Sequence, residues 1–152
     1  MMMRENASSR RTKSPWHLWP IGVFFVFLNV EGAYDYVMCL TLNRGYFSSK
    51  GYTATQIAYF TDYPIVPRFF WTISIAGVLV GLAFLLLRSR WATPIVVISV
   101  AAQLCLDLLT FGFRNRWQAL GPWISLFDIL ILLLTFGLFV YCRSMARRGV
   151  LR

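Results

Sequence analysis

The stretch LWPIGVFFVFLNVEGAYDYVMCLTL, residues 18–42, decides how this chain is read. As a helix rising about 1.5 Å per residue it is long enough to cross roughly 30 Å of hydrocarbon. It follows a basic N-terminal region, as a secretory signal would. It is too long for one, however, is interrupted by Glu31 and Asp35, and has no small-residue cleavage site near its end. It reads as a retained first membrane span that carries two carboxylates one helical turn apart.

The composition of the 152 residues agrees: 58% are hydrophobic and only 14% charged, with a mean hydropathy of +0.60, which excludes a soluble core inside a polar shell. Three more stretches match the required length, at about 69–87, 92–113 and 122–142. The expected fold is therefore all-α and integral to the membrane. One four-transmembrane-helix bundle occupies residues 15–152, after a basic cytoplasmic tail at 1–14. Within the connection 43–67, TATQIAYF (53–60) places Thr53 and Gln56 at capping-box spacing. That predicts a short periplasmic interfacial helix between spans one and two, its apolar side toward the lipid or the bundle. The surrounding aromatics read as a plug for the bundle mouth or as a binding lid.

Net charge of +9 raises the question of nucleic acid, and the distribution of charge argues against it. Ten Lys and Arg residues fall on the side of the two termini and five on the other. This bias places both termini in the cytoplasm. The basic ends suit anionic lipid heads. Trp16, Trp19, Trp91 and Trp117 stand at span ends as interfacial anchors. His17 reads as an interfacial polar residue, with ligation of a metal or pigment as the alternative. RSRW (88–91) and RNRW (114–117) both read as hairpin ends with paired arginines in water. GVLVG (77–81) is a GxxxG face, so Gly77 and Gly81 predict a close helix contact inside the bundle or with a partner. Gly32 suggests the same. Cys39, Cys105 and Cys142 are too scattered for a metal or redox pair and read as packing residues.

Acids within hydrocarbon are costly, by roughly 2.5–3.5 kcal/mol per Asp on an insertion scale, and so demand a partner or a purpose. Glu31, Asp35, Asp107 and Asp128 all lie in spans, the three aspartates at a common depth and Glu31 about a turn deeper. With Asn29 and Gln103 they predict an intramembrane polar cluster. Thr110 and Ser125 are further hydrogen-bonding candidates, and Arg68, Arg114 or Arg116 could reach inward as counter-charges. The cluster reads as buried structural glue, as a proton or cation relay, or as a face toward a larger partner or bound cofactor. No nucleophile–base pair, metal motif or phosphate loop suggests catalysis. No cofactor is expected, although a lipid or pigment bound at an interface is compatible with the aromatic content.

PWHLWPIG (15–22), Asn29, Gly32, Asp35 and Tyr36 within NVEGAYDYVM, TATQIAYFTDYP (53–64) and LLLRSRWATP (85–94) together resemble a family of small bacterial four-helix inner-membrane proteins loosely labelled sugar transporters. Members typically read PWHLW, WNxxGAFDYVMTQT, a TPEQLAYF-like segment and LLLRSRWA. The resemblance covers roughly residues 15–113 and, more weakly, the basic end MARRGVLR. It implies a bacterial inner-membrane protein in which Asn29, Gly32, Asp35 and Tyr36 form a signature patch. Phe25 to Leu28, Glu31 and the very basic tail depart from the family's pattern.

Two functional classes follow. The first is a non-catalytic accessory or structural subunit docked on a larger energy-transducing membrane complex, respiratory or photosynthetic. Its basis is the small enclosed volume expected of four short-looped helices and a content of 26 aromatic residues suited to packing against lipid or pigment. The second is a small proton-coupled or solute carrier that works through the intramembrane acids.

Overall fold

Apolar runs set the long helices and local breakers set their ends. The computed structural model describes residues 15–151, so the basic tail 1–14 and Arg152 lie outside the described residues. Six α-helices form: α1 Leu18–Leu40, α2 Arg44–Lys50, α3 Ala54–Thr61, α4 Ile65–Leu86, α5 Ala92–Phe113 and α6 Arg116–Arg147. Four of them, α1, α4, α5 and α6, are long and apolar enough to cross a membrane, as in a multi-pass membrane protein.

Several boundaries differ from the sequence-based expectation. The first span stops at Leu40 because Leu42 adopts a left-handed φ of 52°. The second begins at Ile65 rather than at 69. Pro64 is extended and ends the preceding turn, while Pro67 falls in the first helical turn, where a missing N–H breaks no bond. The last span is not preceded by a plain hairpin. Asn115, at φ 45°, turns the chain into a helical segment that meets a kink at Gly121, whose φ of 84° favours glycine; Pro122 then opens the main run, which continues to Arg147.

The connection between α1 and α4 holds two short helices where one is predicted. The capping box at α3 forms as expected, Thr53 N–H donating to Gln56 Oε1 at 2.8 Å and Gln56 N–H to Thr53 Oγ1 at 3.4 Å. The helix missing from the sequence reading, α2, has its own signals. Asn43 Oδ1 accepts from Tyr46 N–H at 2.9 Å, and Gly51 closes the helix in the left-handed conformation at φ 68°.

The spans pack in the order α1, α4, α5, α6, with α4 against α5 the most extensive contact. The GxxxG face makes that seam. A Cβ on Gly77 would collide with Ser99 Oγ, and one on Gly81 would come within 2.6 Å of Val96 Cγ2. Gly77 and Gly81 thus serve a contact inside the chain. Gly32 makes no close helix contact among the described residues, because none of them lies within 4 Å of where its Cβ would be. Gly22, which the sequence reading passed over, is the close-approach residue of α1, against Leu86 of α4.

Two apolar cores result. One gathers Leu18, Phe25, Leu82, Leu85, Leu138 and Met145 near the start of α1 and the end of α6. The other packs Cys39, Phe47, Tyr59, Phe60 and Tyr63 with Leu120, so that α2 and α3 form an aromatic cap over the opposite end. The outermost spans, α1 and α6, have little direct packing along their length. At one end His17 Nδ1 and Tyr141 OH join them at 2.9 Å; at the other, α3 packs on both.

Candidate functional site: an acid-lined cavity in the bundle

Between α1 and α6, and beneath the aromatic cap, lies a cavity of about 450 Å³. All six residues of the predicted polar cluster line it: Asn29, Glu31 and Asp35 from α1, Gln103 and Asp107 from α5, and Asp128 from α6. Four acids from three helices therefore share one space. Such convergence needs a bundle, since only Glu31 and Asp35 are brought together by their own helix.

Each acid is held differently. Asp128 pairs with Arg116, whose Nε donates to Oδ2 at 2.5 Å. Tyr46 OH, from the cap, donates to Asp35 Oδ1. Asp107 is 8% exposed; its Oδ1 accepts from Gln103 Nε2 at 3.1 Å, and Gln103 Oε1 in turn accepts from Ser74 Oγ at 2.7 Å. Its second oxygen, Oδ2, is buried with no hydrogen-bond partner among the described residues. Glu31 lines the cavity from an exposed position on α1.

Among the described residues, Arg116 alone of the three proposed counter-charges pairs with an acid. It is 8% exposed, because the helical segment before the Gly121 kink carries it into the bundle wall. Paired arginines in water do not describe RNRW. Arg114 instead donates to Tyr59 O at 2.9 Å and Asp62 O at 3.2 Å, with its guanidinium 4.4 Å from the Tyr59 ring centroid. Arg68 donates through an Nη to Tyr63 O at 3.4 Å. Both arginines fasten the cap rather than answer the acids. A cation the sequence reading overlooked, Lys50 at the end of α2, lines the cavity, its ammonium 5.7 Å from the Tyr46 ring centroid. The signal for it was α2 itself, which folds residues 44–50 back over the bundle.

The supporting polar residues divide likewise. Gln103 holds Asp107, whereas Asn29 Nδ2 turns back to Phe25 O on its own helix at 2.9 Å. Thr110 Oγ1 donates to Leu106 O, and Ser125 Oγ is buried without a partner. Of the expected signature patch, Asn29, Gly32 and Asp35 face the cavity, while Tyr36 bonds Thr72 of α4 at 2.7 Å beside Trp71. His17 is engaged with Tyr141. Cys39 and Cys142 are buried packing residues, each a free thiol. Trp16, Trp19, Trp91 and Trp117 are exposed at helix ends, and Trp123 on the cavity wall is 86% exposed.

The roof over the acids consists of neutral phenols. Burial, and then the bond to Asp35, pushes the Tyr46 hydroxyl above its ordinary value of about 10; burial does the same to Tyr52 and Tyr63. These groups remain protonated and available for hydrogen bonding. The wall thus combines four carboxyls, two cations, amide and phenol donors, and the aromatic faces of Trp71, Trp123 and Phe127. Among the described residues no three His, Cys, Asp or Glu side chains are grouped to hold a metal ion. The arrangement can bind a polar or cationic guest and exchange protons with it.

Family models, curated proteins and solved structures contain no match to this chain, so the chemistry of the cavity is read from its own residues.

Proposed function

We propose that this protein is a small non-catalytic membrane carrier that binds its solute in the acid-lined cavity and couples the solute's passage to protons. The observation that carries the reading is the convergence of Glu31, Asp35, Asp107 and Asp128 on one space, where Arg116 is already committed to Asp128. About 450 Å³ lies within the roughly 300–1,000 Å³ typical of small-molecule sites. A cavity of this size, where little enclosed volume is expected of four short-looped helices, favours the carrier over the accessory or structural subunit. Acids placed inside hydrocarbon and facing a cavity are the usual apparatus of proton relays and ion pathways. The charge bias of the loops supports both termini cytoplasmic and the cap of α2 and α3 on the opposite face, and the resemblance of the signature stretches supports a bacterial inner membrane.

Purified protein in vesicles loaded with a pH-sensitive dye, challenged with panels of neutral, anionic and cationic solutes, tests this reading. The expected result is a solute-evoked proton flux that Asp107→Asn abolishes. Absence of flux with every class, from protein that elutes as a monodisperse folded species, overturns it.

A second reading, an accessory subunit of a larger energy-transducing complex, draws on α1. That helix leaves Phe24, Phe27 and Val30 exposed and packs extensively only on α4. Gentle solubilisation followed by native mass spectrometry tests it, with co-migration in a large complex expected and recovery only as free chain against it.

A further inference from the structure

The cavity is neither sealed nor evenly charged, and both features select a guest. Its wall holds four carboxyls against Arg116 and Lys50, and Arg116 is consumed by Asp128. Asp35 is met by a phenol rather than a cation, and Asp107 keeps a buried, unpartnered oxygen on the wall. A guest that supplies positive charge completes these groups. The cavity's edge between α1 and α6 is formed by two helices long and apolar enough to cross a membrane, so an opening there would meet hydrocarbon. Tyr34 on α1, with Phe127 and Trp123 on α6, line the cavity and are exposed at its edge, where those helices lack close packing. Aromatic faces at such an edge attract an organic cation and accommodate an apolar tail.

We propose that the cavity takes an amphiphilic organic cation, an ammonium or phosphonium head among the carboxyls of Glu31, Asp35 and Asp107 with its apolar tail between α1 and α6. This assignment rests on the carrier reading and names its substrate class. Admission then proceeds sideways from the bilayer, past Tyr34 and Phe127, rather than through the aromatic cap. The head replaces its hydration shell with carboxylate oxygens and ring faces.

Equilibrium dialysis of the full-length detergent-purified chain with three probes tests the assignment: tetraphenylphosphonium, tetraphenylborate of the same shape and opposite charge, and tetramethylammonium, a cation without a tail. Saturable tetraphenylphosphonium binding is expected, with no saturable binding of tetraphenylborate and affinity for tetramethylammonium about 100-fold weaker for want of buried apolar area. Asp107→Asn and Glu31→Gln should each weaken tetraphenylphosphonium about tenfold or more. Glu31 is exposed, so its variant reports even where Asp107→Asn fails to fold. Phe127→Ala should weaken it as well.

Equal binding of tetraphenylborate would mean an apolar sink and overturn the cation assignment. Equal binding of tetramethylammonium, or an unchanged affinity in Phe127→Ala, would overturn the seat between α1 and α6. Should vesicles show proton flux with a neutral or anionic solute while tetraphenylphosphonium does not bind, the carrier reading stands and the cation assignment falls.

Discussion

Arg116 and Asp128 illustrate how much of this molecule rests on individual side chains. The pair is closed within one helix, across the kink at Gly121, with both side chains largely withdrawn from the surface. Arg116→Met should therefore leave Asp128 without its counter-charge in a cavity that holds three other carboxyls, and cost about 3–5 kcal/mol, the usual penalty for orphaning half of a buried pair. Arg116→Met combined with Asp128→Leu should recover much of that loss, as read from thermal denaturation in detergent. The tyrosines of the cap make a second residue-level prediction. Tyr46, Tyr52 and Tyr63 have folded-state values raised above the roughly 10 of an unfolded phenol. Their contribution to stability is complete below about pH 10 and is lost as the pH rises beyond it, because the unfolded chain then releases protons that the folded chain retains. Spectrophotometric titration of the phenols should find at least three of the seven tyrosines silent until the protein denatures in base.

At the scale of elements, the contrast between glycines separates packing from cavity. Gly77 lies on the seam of α4 and α5, where a methyl group would strike Ser99, whereas Gly32 of α1 faces open space. Gly77→Ala should lower stability by about 1–3 kcal/mol, the range for overpacking a close contact, and Gly32→Ala should leave it near the wild-type value. Equal losses in thermal-stability measurements on the two variants would refute the assignment of the GxxxG face to an internal seam. The GxxxG spacing was visible in the chain, but which helix it meets was not, since spacing specifies a face and not its neighbour. The cap follows the same division. Thr53 and Gln56 announced α3 because a capping box is local chemistry. Asn43 and Gly51 announced α2 just as locally, and the aromatic run between them obscured it.

For the whole molecule, the decisive geometry is a row of four long helices whose outermost members, α1 and α6, flank a cavity. If the loop charges set orientation, the cap and the α4–α5 turn lie on opposite sides of the membrane. Ser48→Cys should then react with a membrane-impermeant maleimide applied to spheroplasts, and Arg90→Cys only after permeabilisation. Both positions are exposed. The reverse pattern would invert the topology and place the cap in the cytoplasm.

The sequence by itself determined the class of fold, four apolar helices, because the length and hydropathy needed to cross hydrocarbon are properties of contiguous residues. It also marked which acids lie within apolar runs, since a carboxyl in such a run is conspicuous wherever its neighbours end up. Tertiary structure alone decided their surroundings. Asp35, Asp107 and Asp128 share a cavity only because helices far apart in the chain pack in register, and Arg116 rather than Arg68 or Arg114 answers Asp128 because Gly121 bends the chain at that point. Lys50 and Tyr46 enter the site through α2, whose place over the bundle depends on long-range apolar packing with Phe60 and Leu120. Such contacts are non-local, and a linear pattern of residues carries no record of which distant side chain fills a given space.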